Sequence, residues 1–306
     1  MFGNRLGWGI SVVLIIVTVV ALGWIYRQGT MPQRPSSIGM AADQWTLQMP
    51  IPPRSVVRCM TEPGDAMDLY RRAINAYQNR ENRLIEPTLS EVQESLNLIV
   101  EARKFAGRGV FANRPQELIS YDRDRPELNA LDALRKLAFK QGRRYQNDGK
   151  TAQAREVYEG MFVLGLKLHE ERLVWDEWQI GRDLMAVSRY MAELAETPQE
   201  KKVLEDFDAQ WATFYRANIE KLQLAIFNPQ PWTGDMAALA SKCPEPMWRV
   251  EATLALGRCK YTGQTLGDQT GARRLVAKLV NDSDASVSLA AKLAKDLSVV
   301  DFRKLR

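Results

Sequence analysis

Three stretches of the chain hold residue types that could do chemistry. The first is Gly149-Lys150-Thr151, the closing residues of a phosphate-cradling loop. Such a loop needs a glycine five residues earlier, so that backbone amides can curl around phosphate. Arg144 stands there instead. The loop must also follow a strand, whereas the preceding Leu128, Leu131, Leu134 and Leu137 recur at three-residue steps and lay an apolar stripe on a helix. A nucleotide site is therefore excluded. The second stretch is "HEERL", headed by His169, the one histidine of the chain. A zinc-binding helix needs a second histidine four residues on, where Leu173 stands, so His169 reads as a surface or helix-end residue. The third is "VWDEWQIGRD". Trp175 and Trp178 share a helix face, with Asp176, Glu177 and Asp183 close by. Sugar cleavage uses a carboxylate pair across a cleft, and tryptophans supply the platforms. Neighbouring carboxylates on one helix point apart, so Asp176 and Glu177 do not make that pair alone. The two tryptophans read either as core packing or as a ligand-facing or partner-facing surface. No catalytic residue, cofactor site or metal site follows, and no small-molecule substrate.

The elements that must position these residues are helices. Asn147-Asp148-Gly149 ends one helix, because glycine accepts the left-handed conformation a helix terminus wants. The next starts near Thr151 and carries Val157, Met161, Leu164 and Leu168 at three- and four-residue steps. Upstream, Asp65 reads as a cap before Leu69, Ala73, Ile74 and Tyr77, and Thr88 or Ser90 starts a helix with Val92, Leu96, Ile99 and Val100. Downstream, Ile180, Leu184, Val187, Met191 and Leu194 form a coiled-coil-like seam on one long helix from near Leu173 to Glu196. Another helix opens after Thr197-Pro198 and stops at Asn228-Pro229. No run alternates as a strand does. The expected fold class is all-α, and the body solenoid-like.

Two segments resemble known repeat families. Over about 136–166, Gly142, Tyr145, Gly149, Ala154 and Tyr158 occupy the small, aromatic, turn, small and aromatic positions of a tetratricopeptide repeat. The resemblance implies that these five residues pack a helical hairpin. It departs from the family at Ala138, where a large aromatic is expected, and at Leu166, where a proline is expected. Over about 246–297, "PMWRVEATLALGRCKYTG" and "NDSDASVSLAAKLAKDL" resemble each other, with Val250 and Val287 37 residues apart. Together with "GARRLVAKLV" between them they resemble HEAT-type repeats, whose periods are near 40 residues.

The chain has 306 residues, 26% of them charged, and its Cys59, Cys243 and Cys259 form no metal or redox motif. A Cys243–Cys259 bridge is open only to an exported body. After a tail of residues 1–5, Leu6 to Tyr26 runs without a charge. That length suffices to span a bilayer, and Trp8, Trp24 and Tyr26 bracket it as interfacial aromatics do. Ala21 and Gly23 would suit a signal peptidase, but the length of the run and the bulk of Trp24 favour a retained anchor. Arg5 lies on one side, Arg27 and Arg34 on the other, so the positive-inside balance leans against an exported body while the short tail favours one. We expect export. Residues 27–63 read as a proline-rich tether, 64–241 as a helical domain and 242–306 as HEAT-like C-terminal helices.

From Met247 onward there are 11 Lys/Arg and 6 Asp/Glu, a net charge of +5. Arg249, Arg258, Arg273, Arg274 and Lys278 would serve an anionic partner if one surface gathered them. So mild an excess, with no aromatic-lined basic groove, argues against nucleic acid. The leading expectation is a single-pass membrane scaffold or adaptor that binds another protein, since stacked helices make extended concave surfaces. The alternatives are an envelope protein that cleaves or binds glycan, and a binder of nucleic acid or another anionic polymer. The anchor has a direct test. The full-length chain should stay with membranes after a high-pH carbonate wash; a soluble chain with a new amino terminus near Leu22 or Trp24 would identify a cleaved leader instead.

Overall fold

The structure, a computed structural model, describes residues 49–80, 86–107, 109–110, 119, 125–227, 233–259 and 269–296. All belong to one compact unit, Ala42–Arg306. The segment from Leu6 to Tyr26 lies outside the described residues, and among those residues no helix is long and apolar enough to cross a membrane. The body is all-α. A short 3-10 turn at Arg54–Val56 is followed by α1 (Met67–Gln78), α2 (Gln93–Ala102), α3 (Pro126–Asn147), α4 (Thr151–Glu171), α5 (Trp175–Met185) and α6 (Ser188–Glu193). Then come α7 (Pro198–Phe227), α8 (Thr233–Lys242), α9 (Pro246–Cys259), α10 (Gln269–Leu279) and α11 (Ala285–Asp296). No strand occurs among the described residues; Glu62 and Phe105 make an isolated bridge.

The hairpin of α3 and α4 turns where its glycine requires. Gly149 sits at φ +73°, open to glycine at little cost. The Lys150 amide donates to the Tyr145 carbonyl at 2.8 Å and the Gly149 amide to the Gln146 carbonyl at 3.1 Å. This pair of bonds is the Schellman closure of a helix end. Gly142 meets the ring of Tyr158, where a Cβ would collide with it. Ala154 and Tyr158 are fully buried, and the Tyr158 hydroxyl donates to Gln146 Oε1 at 3.1 Å. Tyr145 is only half-buried, with its hydroxyl accepting from Gln141 at 3.3 Å.

Helix α4 is the centre of the body. Every residue from Val157 to His169 is buried, as befits a helix with neighbours on all sides. It packs against α2, α3, α5 and α6. Two close approaches are made at glycine. Gly160 faces the α2 backbone, where an added Cβ would lie 3.3 Å from Val100 Cα. Gly165 and Gly181 face each other across α4 and α5, and a Cβ on Gly165 would stand 2.6 Å from the Gly181 carbonyl oxygen. Two charged residues of α4 are enclosed as well. Lys167 donates from Nζ to the carbonyls of Phe105, at 2.9 Å, and Gly107, fixing that loop. Glu159 accepts from Arg155 at 3.0 Å, and Arg155 reaches Glu200 of α7 at 2.6 Å. Buried ions without partners would be strongly destabilising, and these have them.

The expected long helix over 173–196 is two helices. Just past Ala186 the bonds tighten to three-residue steps, with Val187 N–H to the Leu184 carbonyl at 3.5 Å and Tyr190 N–H to the Val187 carbonyl at 2.9 Å. Of the expected seam Leu184, Val187 and Met191 are buried, whereas Ile180 and Leu194 at its two ends are only half-buried. Part of the proline-rich stretch, from residue 49, lies on the body. Pro50, Pro52, Val56 and Val57 are buried, and Arg54 grips Glu170 while Arg58 reaches Glu196 at 3.0 Å. The C-terminal helices repeat the theme of α4. Helix α9 is buried from Val250 to Leu256, and α8, α10 and α11 pack on it. Val250 and Val287 both lie in that core. Cys59 and Cys243 are free thiols, so the Cys243–Cys259 bridge is not made.

The glycine contact is testable by melting. Gly165→Leu forces α4 and α5 apart and should cost at least the roughly 1–3 kcal/mol of ordinary overpacking. Ala154→Leu at the hairpin belongs to the same range. Tyr145→Ala should cost less than the roughly 3–5 kcal/mol of a fully buried ring, because its ring is partly solvated. A Gly165→Leu chain that melts at the temperature of the unsubstituted protein would contradict this packing.

Candidate functional site

Trp175, Asp176, Glu177 and Trp178 stand at the start of α5, which is buried and so must have its free amides satisfied from within. Glu177 reaches back so that its Oε2 accepts from the Leu173 amide at 2.8 Å. Glu251, arriving from α9, accepts from the Trp175 amide at 2.8 Å. Asp176 pairs with Arg125. The Asp176 carboxylate at this helix start also suits its dipole.

Trp175 and Trp178 lie within a nest of rings. Their centroids are 5.0 Å apart, and Trp248 stands 5.5 Å from Trp175 and 5.8 Å from Trp178. Trp178 also meets Trp211 at 5.8 Å, and Trp211 meets His169 at 5.9 Å. Trp178 and Trp248 expose nothing to solvent. His169 is buried rather than at the surface, and burial, aided by Arg172, pushes its pKa down to about 3, so it is neutral at physiological pH. Glu177 is fully buried, and desolvation pushes its carboxyl up to about 8. The Nε1 atoms of Trp178, Trp211 and Trp248, the His169 Nδ1 and the Glu177 Oε1 have no hydrogen-bond partner among the described residues.

Beside this nest a cleft of about 330 Å³ opens between α5, the start of α6 and α7. Met185, Phe207 and Trp211 floor it, Arg182 and Asp183 form one wall, and Asp208, Ala212, Tyr215 and Arg216 form the other. The Arg182 guanidinium lies 4.5 Å over the Tyr215 ring and pairs with Asp183. Asp183 also faces Arg135 at 3.8 Å. The Asp208 and Arg216 side chains make no ion pair or hydrogen bond among the described residues.

This geometry bears on each expected site residue. The structure brings Trp175 and Trp178 together and puts both inside. Glu177 is a buried acid beside them, yet it serves helix amides and is not among the residues lining the cleft. Arg249 is tied to Asp282 and to the Ala240 carbonyl at 3.0 Å. Arg273, Arg274 and Lys278 are exposed on α10, and the Arg258 side chain lies outside the described residues. Among the described residues no group of His, Cys, Asp and Glu is arranged to hold a metal ion. Sequence reasoning missed Glu251 and the cleft. The four-residue steps Phe207-Trp211-Tyr215 and Asp208-Ala212-Arg216 along α7 are the signal that could have found the cleft. No protein-family model matches the chain, and neither a curated protein nor a solved structure does.

Glu177 makes a pH-dependent prediction. Its folded carboxyl keeps a proton where the unfolded chain has already lost it, so stability falls as pH rises from the ordinary carboxylate range to about 8. Each pH unit in that window changes stability by about 1.4 kcal/mol, and each kcal/mol moves the melting temperature of a domain this size by about 2–4 °C. Glu177→Gln keeps an oxygen for the Leu173 amide and removes the titration. Calorimetry should find its melting temperature rising relative to the unsubstituted chain between pH 5 and pH 8. A constant difference would deny Glu177 this role. The low pKa of His169 acts in the opposite direction below pH 6.5 and is common to both proteins.

Proposed function

We propose that this chain is a membrane-anchored helical scaffold that binds another protein through the cleft between α5 and α7. The cleft carries the reading. It combines an aromatic floor with charged side chains that have no partner within the described body, whereas the nearby buried carboxylates are consumed in holding helix ends. Solvent-facing aromatic and arginine groups are the usual anchors of protein association. The anchor from Leu6 to Tyr26, the exported body and the repeat-like stacking of α3–α4 and α8–α11 complete the proposal. They rest on the apolar length and on the tetratricopeptide-like and HEAT-like spacing of the sequence. Helical stacks of those kinds work as binding surfaces, a warrant of analogy to which the cleft adds a location.

Site-specific photo-crosslinking tests it. A photoreactive phenylalanine analogue replaces Tyr215 in the full-length chain, with exposed Lys201 as the control position. The expected result is one identified protein joined at Tyr215 and not at Lys201. The purified partner should then bind the full chain, and Ala212→Trp, which fills the cleft, should abolish that binding. Adducts confined to Lys201 would move the docking surface elsewhere. A full chain that forms no adduct at either position and co-purifies with no protein would end the scaffold reading.

A further inference from the structure

The cleft is chemically polarised along its length. Asp208, Ala212 and Arg216 recur every four residues and so share one face of α7. Eight residues of helix separate Asp208 from Arg216, about 12 Å at 1.5 Å per residue. Arg182 stacks on Tyr215 and therefore adds a second guanidinium at the Arg216 end. Asp183 occupies one edge of that guanidinium through Nε and Nη2. The floor between the ends is apolar, with Met185, Phe207 and Trp211. Tyr215, at 40% exposure, and Ile51 are the large apolar side chains left exposed among the described residues.

We infer that the occupant of this cleft is an amphipathic partner segment that sets a bulky apolar side chain on Trp211, a carboxylate toward Arg182 and Arg216, and a basic side chain toward Asp208. The inference rests on the cleft being the docking surface. Charge complementarity selects the occupant. A nucleic acid would bring phosphates along the whole cleft and so to the Asp208 end, where like charges repel, as well as to the Arg216 end. A purely apolar ligand would cover the ends of the cleft and strip water from Asp208 and Arg216 without giving them partners, at a cost. A segment with opposite charges at its two ends satisfies both. In a helical segment the two charges stand about eight residues apart; in an extended one, roughly four. The cleft is at the small end of the range for ligand sites, so it takes one large side chain rather than a domain.

The test uses the full-length chain in detergent and three fluorescent helix-forming peptides. Each has a central leucine with charged residues four positions before and after it. The ends are Glu and Lys in the first, Glu and Glu in the second, Lys and Lys in the third. Because a helix can enter in either direction, the mixed peptide can always match both ends. Anisotropy should rank the mixed peptide first, with each mismatched end weakening binding by up to about fivefold. Replacing the central leucine by glycine should weaken it more than about tenfold. Asp208→Lys should transfer the preference to the doubly acidic peptide, and Arg216→Glu should draw it toward the doubly basic one. Neither side chain has an ion pair among the described residues, so melting temperatures should change little. Equal affinities for all three peptides, or preferences untouched by the two substitutions, would overturn the inference. Failure of every peptide alongside a partner crosslinked at Tyr215 would leave the docking surface standing and reject this ligand chemistry. Failure of both would remove the cleft as a docking surface.

Discussion

A helix that is buried on every side must bring its neighbours close all round, and in this protein that requirement falls on α4. Side chains hold helix axes about 8–10 Å apart, and a crowded centre needs places where the axes come nearer. Gly160 toward α2 and Gly165 against Gly181 provide them. Gly142 adds a third, admitting the Tyr158 ring between α3 and α4. These contacts set where α5 runs, and hence where its amino-terminal end and its arginine wall stand. The cleft is thus a consequence of glycine positions in the core, although no glycine lines it.

The start of α5 is also where the central body meets the C-terminal helices. Glu251 of α9 holds the Trp175 amide, and Trp248 of α9 packs on Trp175 and Trp178. Burial of each such ring contributes a few kcal/mol, and hydrogen bonds to charged groups contribute about 1.5–3 kcal/mol. The two parts of the body are therefore fastened by directional contacts at one helix end as well as by apolar area. The choice of tryptophan rather than leucine leaves indole N–H groups inside, which is a cost that aliphatic packing would not carry.

Much of this fold was legible because its signals are local. The Gly149 turn and the stripe of Val157, Met161, Leu164 and Leu168 depend on residues within a few positions, whereas the expected caps were misplaced: α1 starts from Ala66 and α2 from Val92, neither with a side-chain cap, and Asp65 and Thr88 make local turns ahead of them. Met67 donates to Asp65 at 3.0 Å, and Thr88 bonds Glu91 at 2.7 Å. What could not be read was non-local. Lys167 and Glu159 look like solvated positions on a helix, and are buried only because carbonyls of Phe105 and Gly107, and the guanidinium of Arg155 with its reach to Glu200, meet them. His169 looked peripheral for the same reason, since Trp211 covers it from 42 residues away. The single long helix expected over 173–196 failed at Ala186 because a periodic seam constrains the face and not the continuity of the backbone. The cleft needs α5 and α7 side by side, which no spacing within either helix states.

The grip of residues 54–58 on the body has a mechanical meaning. Chain leaving the body on its amino-terminal side does so across buried Pro50 and Pro52, then the ion pairs of Arg54 with Glu170 and Arg58 with Glu196. A pull on that side is therefore delivered first to the last turn of α4 and to the segment between α6 and α7, and reaches α1 only after those contacts shear. Glu170 is one residue from Glu171, whose Oε2 accepts from the Val110 amide at 3.0 Å. Tension at the amino terminus would thus load the middle of the fold while its first helix remained slack, so the molecule would resist as a rivet does, from its centre outward.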